Sequence, residues 1–239
     1  VVDFSYIKKL EKAGKFKEAV DLIREKLPLP GVLGRVCLAP CEGECRRAEM
    51  DSPLSIRNIK RFVSDQVDVD DIPVPLREVR DEKIAVVGAG PAGLACAYFL
   101  GLEGYPVTVF EAAPVLGGML RLGIPDYRLP PDVLEGEVRW FEKLGIEFKT
   151  DHPIGKDGKK TIEELFSDGY KSVFLGVGAH GVMKLGLDDE DAPGVEYGVD
   201  FLRQANLGEK VEVGKKVVVI GGGADDHHLP LRLDRLDLP

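Results

Sequence analysis

Residues 86–93 read VVGAGPAG, and the fold follows from how that stretch is placed. Gly88, Gly90 and Gly93 have the G-x-G-x-x-G spacing. Taken alone the pattern is weak. Here it follows the apolar run KIAVV, opens the helix-like PAGLACAYFLGLEG, and is followed by YPVTVFE, which ends on Glu111. Strand, glycine turn, helix, strand, acid is the order that a dinucleotide-binding βαβ unit requires. Gly88 permits the tight turn, Gly90 leaves room for a pyrophosphate, and Gly93 lets helix and strand approach. The helix N-terminus offers free N–H groups and about half a positive charge to phosphates. Glu111 can accept hydrogen bonds from ribose hydroxyls, and its charge would resist a ribose 2′-phosphate.

The same texture continues. A helix over 131–144, a strand over 145–150, a short helix in TIEELFSDG, a buried strand in YKSVFLGVGA and a new strand in GKKVVVIGGG predict alternating elements and a parallel sheet covered on both faces. The segment EAAPVLGGMLRLGIPDYRLP, 111–130, is too long for a plain connection, and such loops are usually functional. Its glycines would let backbone approach a ligand, and Arg128 is a cation placed to meet a phosphate or a ring carbonyl.

Upstream the chain reads differently. FSYIKKLEKAGKFKEAVDLIREKLPLP, 4–30, predicts two short helices broken at Gly14 and stopped by Pro28 and Pro30. PLSIRNIKRFVSDQ, 53–66, predicts a third. Between them lies GRVCLAPCEGECRRAEM, 34–50, with three residues separating Cys37 from Cys41 and Cys41 from Cys45. The acidic, proline-bearing DVDDIPVPLREVRDE reads as an extended linker. The expected organisation is a helical domain over 1–72, a linker over 73–80, a dinucleotide-binding domain over 81–214, and the start of a further nucleotide-binding domain over 215–239.

The 239 residues are 44% hydrophobic and 31% charged, a globular balance, and the net charge of −9 argues against a nucleic-acid surface. No run of about 18 apolar residues predicts a membrane span. With no leader visible, the expected location is the cytoplasm. Val1 is not an initiator methionine, and ADDHHLPLRLDRLDLP lacks the spacing of a continuing helix. The chain is therefore expected to be incomplete at both ends.

Three segments, VVGAGPAGLACAYFL, VTVFEAAPVLGGMLRLGIPDYRLP and GRVCLAPCEGECRRAEMDSPLSIRNIKRF, together resemble the small subunit of glutamate synthase. They also resemble its relatives, the flavin end of dihydropyrimidine dehydrogenase and the NAD(P)H-linked flavoprotein subunits of ferredoxin-coupled enzymes. The resemblance runs over about residues 4–223. It implies an α/β protein with an N-terminal all-α iron–sulfur module. A Rossmann-type FAD-binding domain follows, truncated at the start of an inserted NAD(P)H-binding domain. By matching positions it implies FAD contacts at Gly88, Ala89, Gly90, Pro91, Ala92 and Gly93 on the turn and at Glu111 on the ribose. Ala112, Gly117, Gly118, Met119 and Leu120 would line the cofactor. Arg128 and Ile154 fall at further flavin positions, and Gly178 and Ala179 belong to the turn GVGA, 176–179, that closes over it.

For the cysteines, a tidy disulfide set does not fit three thiols, and zinc wants four ligands. The histidines, His152, His180, His227 and His228, form no ligand pattern with them. The resemblance implies that Cys37, Cys41 and Cys45 are the downstream half of a site for two [4Fe-4S] clusters. A cysteine common in relatives is Leu33 here. A position that carries a ligating amide or carboxylate in some of them is Lys60. Arg46 and Arg47 would offset the charge of thiolate-bound iron. Cys96, inside the apolar helix after the turn, reads as core.

The implied activity is that of an electron-transfer flavoprotein subunit, passing electrons among NADPH or NADH, FAD and [4Fe-4S] clusters. The partner would be an oxidoreductase, such as the glutamate synthase large subunit or a ferredoxin-linked enzyme. No catalytic side chain is implied. Two other readings stay open: a docking or scaffold chain that keeps the fold, and a flavin disulfide reductase, for which no C-x-x-C is present.

Overall fold

The computed structural model describes residues 3–220 except 183, 185 and 187. The described residues fall into two units, divided between Glu209 and Lys210. The first unit holds ten α-helices and four strands among its described residues.

Helices α1 (Phe4–Lys12) and α2 (Phe16–Arg24) flank Gly14, which has the left-handed φ of +70° that a tight reversal needs. Asp3 caps α1 by accepting the Tyr6 N–H at 3.0 Å. Pro30 does more than stop the preceding helix. It is the first residue of α3 (Pro30–Val36), a position where its missing N–H costs nothing. Then come the one-turn α4 (Pro40–Gly43), a 3₁₀ turn at Arg46–Glu49, and α5 (Ile56–Asp65).

Residues 73–80 carry no regular secondary structure, and the segment is pinned. Arg80 donates its N–H to the Gly104 carbonyl at 2.9 Å, and a side chain at Gly104 would meet the Glu78 carbonyl oxygen at 1.9 Å.

Next are β1 (Lys83–Val87), α6 (Pro91–Leu102), β2 (Val107–Phe110), α7 (Met119–Leu122), α8 (Pro131–Lys143), β3 (Glu147–Lys149), α9 (Ile162–Ser167), β4 (Tyr170–Leu175) and α10 (Gly198–Asn206). The sheet order is β3-β2-β1-β4 and each pairing is parallel. Register sets Val87 beside Phe110 and Leu175, so the three carboxyl ends come out level. In a parallel α/β sheet that edge is where ligands bind.

One hydrophobic core joins the helical N-terminal part to the sheet. Ile7, Val20, Ile23 and Val63 belong to the same buried cluster as Val86, Leu94, Tyr98, Trp140 and Phe141. The other sheet face carries a smaller cluster of Ala85, Val87, Phe110 and Leu165. Strand β1 thus sends alternate side chains to two cores, as a central parallel strand does.

Two expectations need correction. The strand YKSVFL forms, but it is not buried: Phe174 and Leu175 stand 38% and 57% exposed. It is the last strand on its side of the sheet, paired with β1 alone. The strand expected in KKVVVI does not form over its described part, and Val217–Ile220 are exposed. A strand is stable only when a neighbour takes up its backbone groups, and no ladder reaches this segment among the described residues. Gly221, Gly222, Gly223 and the stretch from 224 to 239 lie outside the described residues. So do His227 and His228.

Candidate functional site

The glycine turn sits at the level carboxyl edge of the sheet. Gly88 has φ +99°, and a Cβ there would meet the Gly176 carbonyl oxygen at 2.4 Å. A Cβ on Gly93 would lie 1.8 Å from the Gly88 carbonyl oxygen. No side chain fits either place, so the spacing in the sequence is a packing requirement of the turn. Gly176 closes it from the other side, donating its N–H to the Val87 carbonyl at 2.8 Å.

Helix α6 begins with Gly90 as its cap and Pro91 as its first residue. That start leaves the Gly90, Ala92 and Gly93 N–H groups with no acceptor inside the helix. Pro91 and Ala92 are exposed while Ala89 and Gly93 are buried. The arrangement is an open, positively polarised backbone end on a rigid turn.

Glu111 extends β2 by one residue toward the turn. Its Oε2 accepts the Ala89 N–H at 2.7 Å and its Oε1 accepts the Ala113 N–H at 2.8 Å. Each carboxylate oxygen has a further lone pair, so the acid can hold the turn and still accept from a hydroxyl.

The segment after Glu111 folds back over α6. Gly117 donates its N–H to the Ala89 carbonyl at 2.9 Å. Both Gly117 and Gly118 have positive φ, +115° and +54°. A Cβ on Gly118 would lie 2.8 Å from the Gly90 Cα, so the two backbones touch. Met119 and Leu120 begin α7 half-buried, Ala112 is exposed, and Arg128 sits half-buried in the turn after Pro125.

Ile154 packs into the smaller core on the opposite sheet face, two residues after His152 donates its N–H to the Glu111 carbonyl at 2.8 Å. Gly178 and Ala179 lie beyond the edge of β4 and are exposed. The structure therefore gathers Gly88 to Gly93, Glu111, Gly117 and Gly118 at one place, and sets Ile154, Gly178 and Ala179 at its margins.

Asn206 was invisible to motif reading. From α10 its amide donates to the Leu122 and Ile124 carbonyls at 3.0 and 3.3 Å, bracing the segment that folds over the turn. The two partners lie more than eighty residues away in sequence, and no local pattern signals the contact.

The cysteine loop is a second centre. Cys37 caps α3, Cys41 lies on α4, and Cys45 precedes the 3₁₀ turn. Among the described residues all four cysteines are free thiols. Cys37 Sγ accepts the Ala39 N–H at 3.3 Å, and Ala39 has the left-handed φ of +54°, rare for a residue with a side chain.

Helix α5 faces this loop. The Arg57 N–H donates to Glu42 Oε1 at 2.8 Å and its guanidinium to the Cys37 carbonyl at 3.1 Å. One turn on, Lys60 is 5% exposed. Burial pushes its ammonium pKa down, and the Cys37 and Cys41 thiols with Glu42 act against that. The position thus places a cation against the thiols.

Sulfur donors without imidazole suit an iron–sulfur cluster and equally suit a tetrahedral zinc ion. The fit is partial. No three His, Cys, Asp or Glu side chains among the described residues are gathered closely enough to hold a metal ion. A cubane also needs a fourth ligand. By contrast, Cys96 sits in α6 with its thiol pKa raised by burial, as a core residue would.

Residues 82–224 match the model of the pyridine nucleotide-disulphide oxidoreductase family. The chain belongs to this family. Residues 3–72 match the model of dihydropyrimidine dehydrogenase domain II, 4Fe-4S cluster, which covers α1 to α5. The NADPH-Fe(3+) oxidoreductase subunit beta of Geobacter sulfurreducens is 43% identical over 219 residues, spanning 89% of this chain and 32% of the relative. The glutamate synthase [NADPH] small chain of Escherichia coli is 37% identical over 230 residues, spanning 90% of this chain and 48% of the relative. Among solved structures, a mutant of FprA from Mycobacterium tuberculosis is similar at 26% identity and a TM-score of 0.45, over 53% of this chain and 29% of that one.

The chain spans a third to a half of the length of those two curated relatives. The resemblance to the glutamate synthase small subunit and its kin holds, and so does the fold class of a helical iron–sulfur module followed by a Rossmann-like oxidoreductase domain. The family is one of FAD-dependent NAD(P)H oxidoreductases, and the N-terminal match implies a [4Fe-4S] cluster. No helix among the described residues is long and apolar enough to cross a membrane.

Proposed function

We propose that this chain is the cofactor-bearing part of an electron-transfer flavoprotein subunit. It would hold FAD on the turn from Gly88 to Gly93 and contribute Cys37, Cys41 and Cys45 to [4Fe-4S] ligation. One observation carries the reading: the bare backbone turn at the sheet edge, locked by Glu111 and roofed by Gly117 and Gly118. The N–H groups of Gly90, Ala92 and Gly93 would receive the diphosphate, and the remaining lone pairs of Glu111 the ribose hydroxyls. FAD, when bound, supplies exchange between two-electron transfer from NAD(P)H and one-electron transfer to iron. Residues 112–120 would line the cofactor and keep bulk water from it. Arg57 and Lys60 would offset negative charge on the cysteine loop.

The domains of the intact protein follow the same reading. A helical iron–sulfur domain occupies 1–72, a linker 73–80 and the FAD-binding domain 81–214. A nicotinamide nucleotide domain begins at 215. The electron acceptor is a second protein subunit. In support, the Geobacter relative is named as a subunit of an NADPH-Fe(3+) oxidoreductase and the Escherichia relative as the small chain of a glutamate synthase. A flavin disulfide reductase is disfavoured, because Cys96 is the one cysteine of the described dinucleotide fold and has no second thiol for a redox pair.

The test is the absorbance of the full-length protein purified without oxygen. Flavin bands with a broad brown shoulder are expected. A colourless protein would overturn the reading in favour of a docking chain.

A further inference from the structure

The segment that roofs the glycine turn has little of its own to keep it folded. Helix α7 is a single turn, Met119–Leu122, and so brief a helix is marginal by itself in water. Gly117 and Gly118 precede it with positive φ, and glycine loses more freedom on folding than other residues. The front end is fixed to the turn by the Gly117 N–H on the Ala89 carbonyl at 2.9 Å. The middle carries an ion pair, Arg121 with Glu135 at 3.1 Å, but the Glu135 side chain is 58% exposed and pairs in water contribute little.

The far end is held from elsewhere. Carbonyls at the C-terminus of a helix find no donor within it. Here Leu122, the last residue of α7, and Ile124, two residues on, meet the side-chain amide of Asn206, whose Nδ2 donates to them at 3.0 and 3.3 Å. An amide nitrogen carries two hydrogens, so one group satisfies both carbonyls. Asn206 is the last residue of α10, and α10 packs on α7.

Helix α10 also belongs to the other margin of the site. It follows β4, whose carboxyl end lies beside that of β1, and the Gly176 N–H just past β4 donates to the Val87 carbonyl at 2.8 Å. The segments that follow β2 and β4 are thus each tied to the turn, and Asn206 ties them to each other.

We infer that Asn206 is a positioning residue for the flavin nucleotide: from α10 it holds residues 117–124 over the glycine turn before the nucleotide arrives, and so sets how tightly FAD is retained. This role rests on the reading that the turn holds FAD, and is independent of the cysteine loop and of any metal bound there. Walls ordered in advance leave less ordering to be done on binding, which strengthens it. Loss of the brace frees the wall without touching the N–H groups of the turn. The diphosphate is then still recognised but leaves faster, as is usual when an affinity changes by substitution.

The experiment uses the full-length protein, stripped of flavin and then given FAD. Asn206→Ala removes both donors. Asn206→Asp keeps the shape and sets a carboxylate against two carbonyl oxygens. Asn206→Gln keeps an amide with two hydrogens. Gln204→Ala is a control on the same helix, where the Gln204 amide donates to Glu196 Oε1 at 2.9 Å. In the flavin-free proteins, amides of residues 117–124 are expected to exchange hydrogen about tenfold faster in Asn206→Ala, the effect of losing hydrogen bonds of ordinary strength. Exchange should be faster still in Asn206→Asp, with α6 and β1 unmoved. FAD affinity, read by quenching of flavin fluorescence, should fall about tenfold in both on the same ground. The visible bands of bound FAD should lose fine structure as the wall at Met119 and Leu120 loosens. Asn206→Gln should recover most of the affinity, and Gln204→Ala should match the unaltered protein. Melting temperatures without flavin should stay close together, since Asn206 is half-buried at a helix end.

Unaltered FAD affinity in Asn206→Ala overturns the inference, whatever exchange shows, and leaves Asn206 a structural contact. Weaker affinity without faster exchange overturns it too, because the wall was then not what changed. Equal loss in Gln204→Ala would assign the effect to α10 as a whole and not to Asn206. Should Asn206→Asp not fold, Asn206→Ala decides. An unaltered protein that takes up no FAD is a separate result, which overturns the functional reading and this inference with it.

Discussion

The two candidate centres are built in opposite ways. At the dinucleotide turn, backbone segments meet with no room for a Cβ on Gly88, Gly93 or Gly118, and Glu111 ties the turn to the segment that follows β2. At the cysteine loop, Cys41 is exposed, Cys37 and Cys45 are half-exposed, and Gly43 has nothing within 4 Å of where a Cβ would stand. A diphosphate is recognised by N–H groups that the fold must hold in place beforehand. A metal cluster is held by covalent-strength bonds that organise their own ligands, because metal binding and local folding are coupled. The difference teaches where each centre keeps its information: in backbone packing at the turn, in side-chain identity at the loop.

Substitutions can break or sharpen that contrast. The largest effect is expected from Gly93→Ala, whose methyl would stand 1.8 Å from a carbonyl oxygen. Overpacking typically costs about 1–3 kcal/mol, and here backbone must yield. Flavin content should fall to near zero and the melting temperature should drop. Gly43→Ala at the loop should leave the melting temperature unchanged or slightly higher. Equal damage from the two replacements would end the contrast.

Next is Glu111→Ala. It strands the Ala89 and Ala113 N–H groups at a cost of about 1–3 kcal/mol each where they stay dry. Equilibrium dialysis should show weakened FAD retention, and unchanged retention would remove Glu111 from the site.

Cys37→Ser should do the reverse of both. Iron per protein should fall while flavin per protein and the melting temperature of the iron-free protein stay as they were. A loss of flavin together with iron would show that the two centres fold as one.

The smallest effect concerns Asp70, which meets Lys143 at 2.8 Å on the surface. That contact holds its carboxyl below the usual carboxylate range. A lowered folded-state value means stability that is present above the unfolded carboxylate pKa and lost as pH falls through the folded one. Asp70→Asn should therefore lower the melting temperature slightly at neutral pH and leave the acid end of the profile nearly unchanged. Flavin and iron contents should not move.

Much of this was legible in the chain itself because it is local. The order of strand, glycine turn, helix and acid carries its own geometry: Gly93 is required by the Gly88 carbonyl five residues before it, and Glu111 lies at the end of the next strand, although the contact that excludes a side chain at Gly88 comes from Gly176 far along the chain. Helices α1, α2, α5, α6 and α8 came from apolar spacing and prolines. Short elements were harder. Pro30 was read as a stop and is a start, and α7 and α10 gave no periodic signal over so few turns. Strand β4 looked buried because Val173, Phe174 and Leu175 are apolar, yet a strand's burial depends on which neighbours cover it. In sequence, Lys60 stands only as the residue at a position that carries a ligand in some relatives. Only its place on α5, one turn beyond Arg57, shows that it faces the cysteines.

By itself, the sequence determined the nucleotide-binding unit and the supply of thiols, since each is written in residues a few positions apart. Tertiary structure alone decided that the helical part and the sheet share one core, that Arg24 meets Glu137, and that Asn206 braces the segment over the turn. Those contacts join residues roughly eighty to over a hundred positions apart. Their partners are chosen by packing and by the cost of leaving buried polar groups unpaired, and neither leaves a pattern in the local chain.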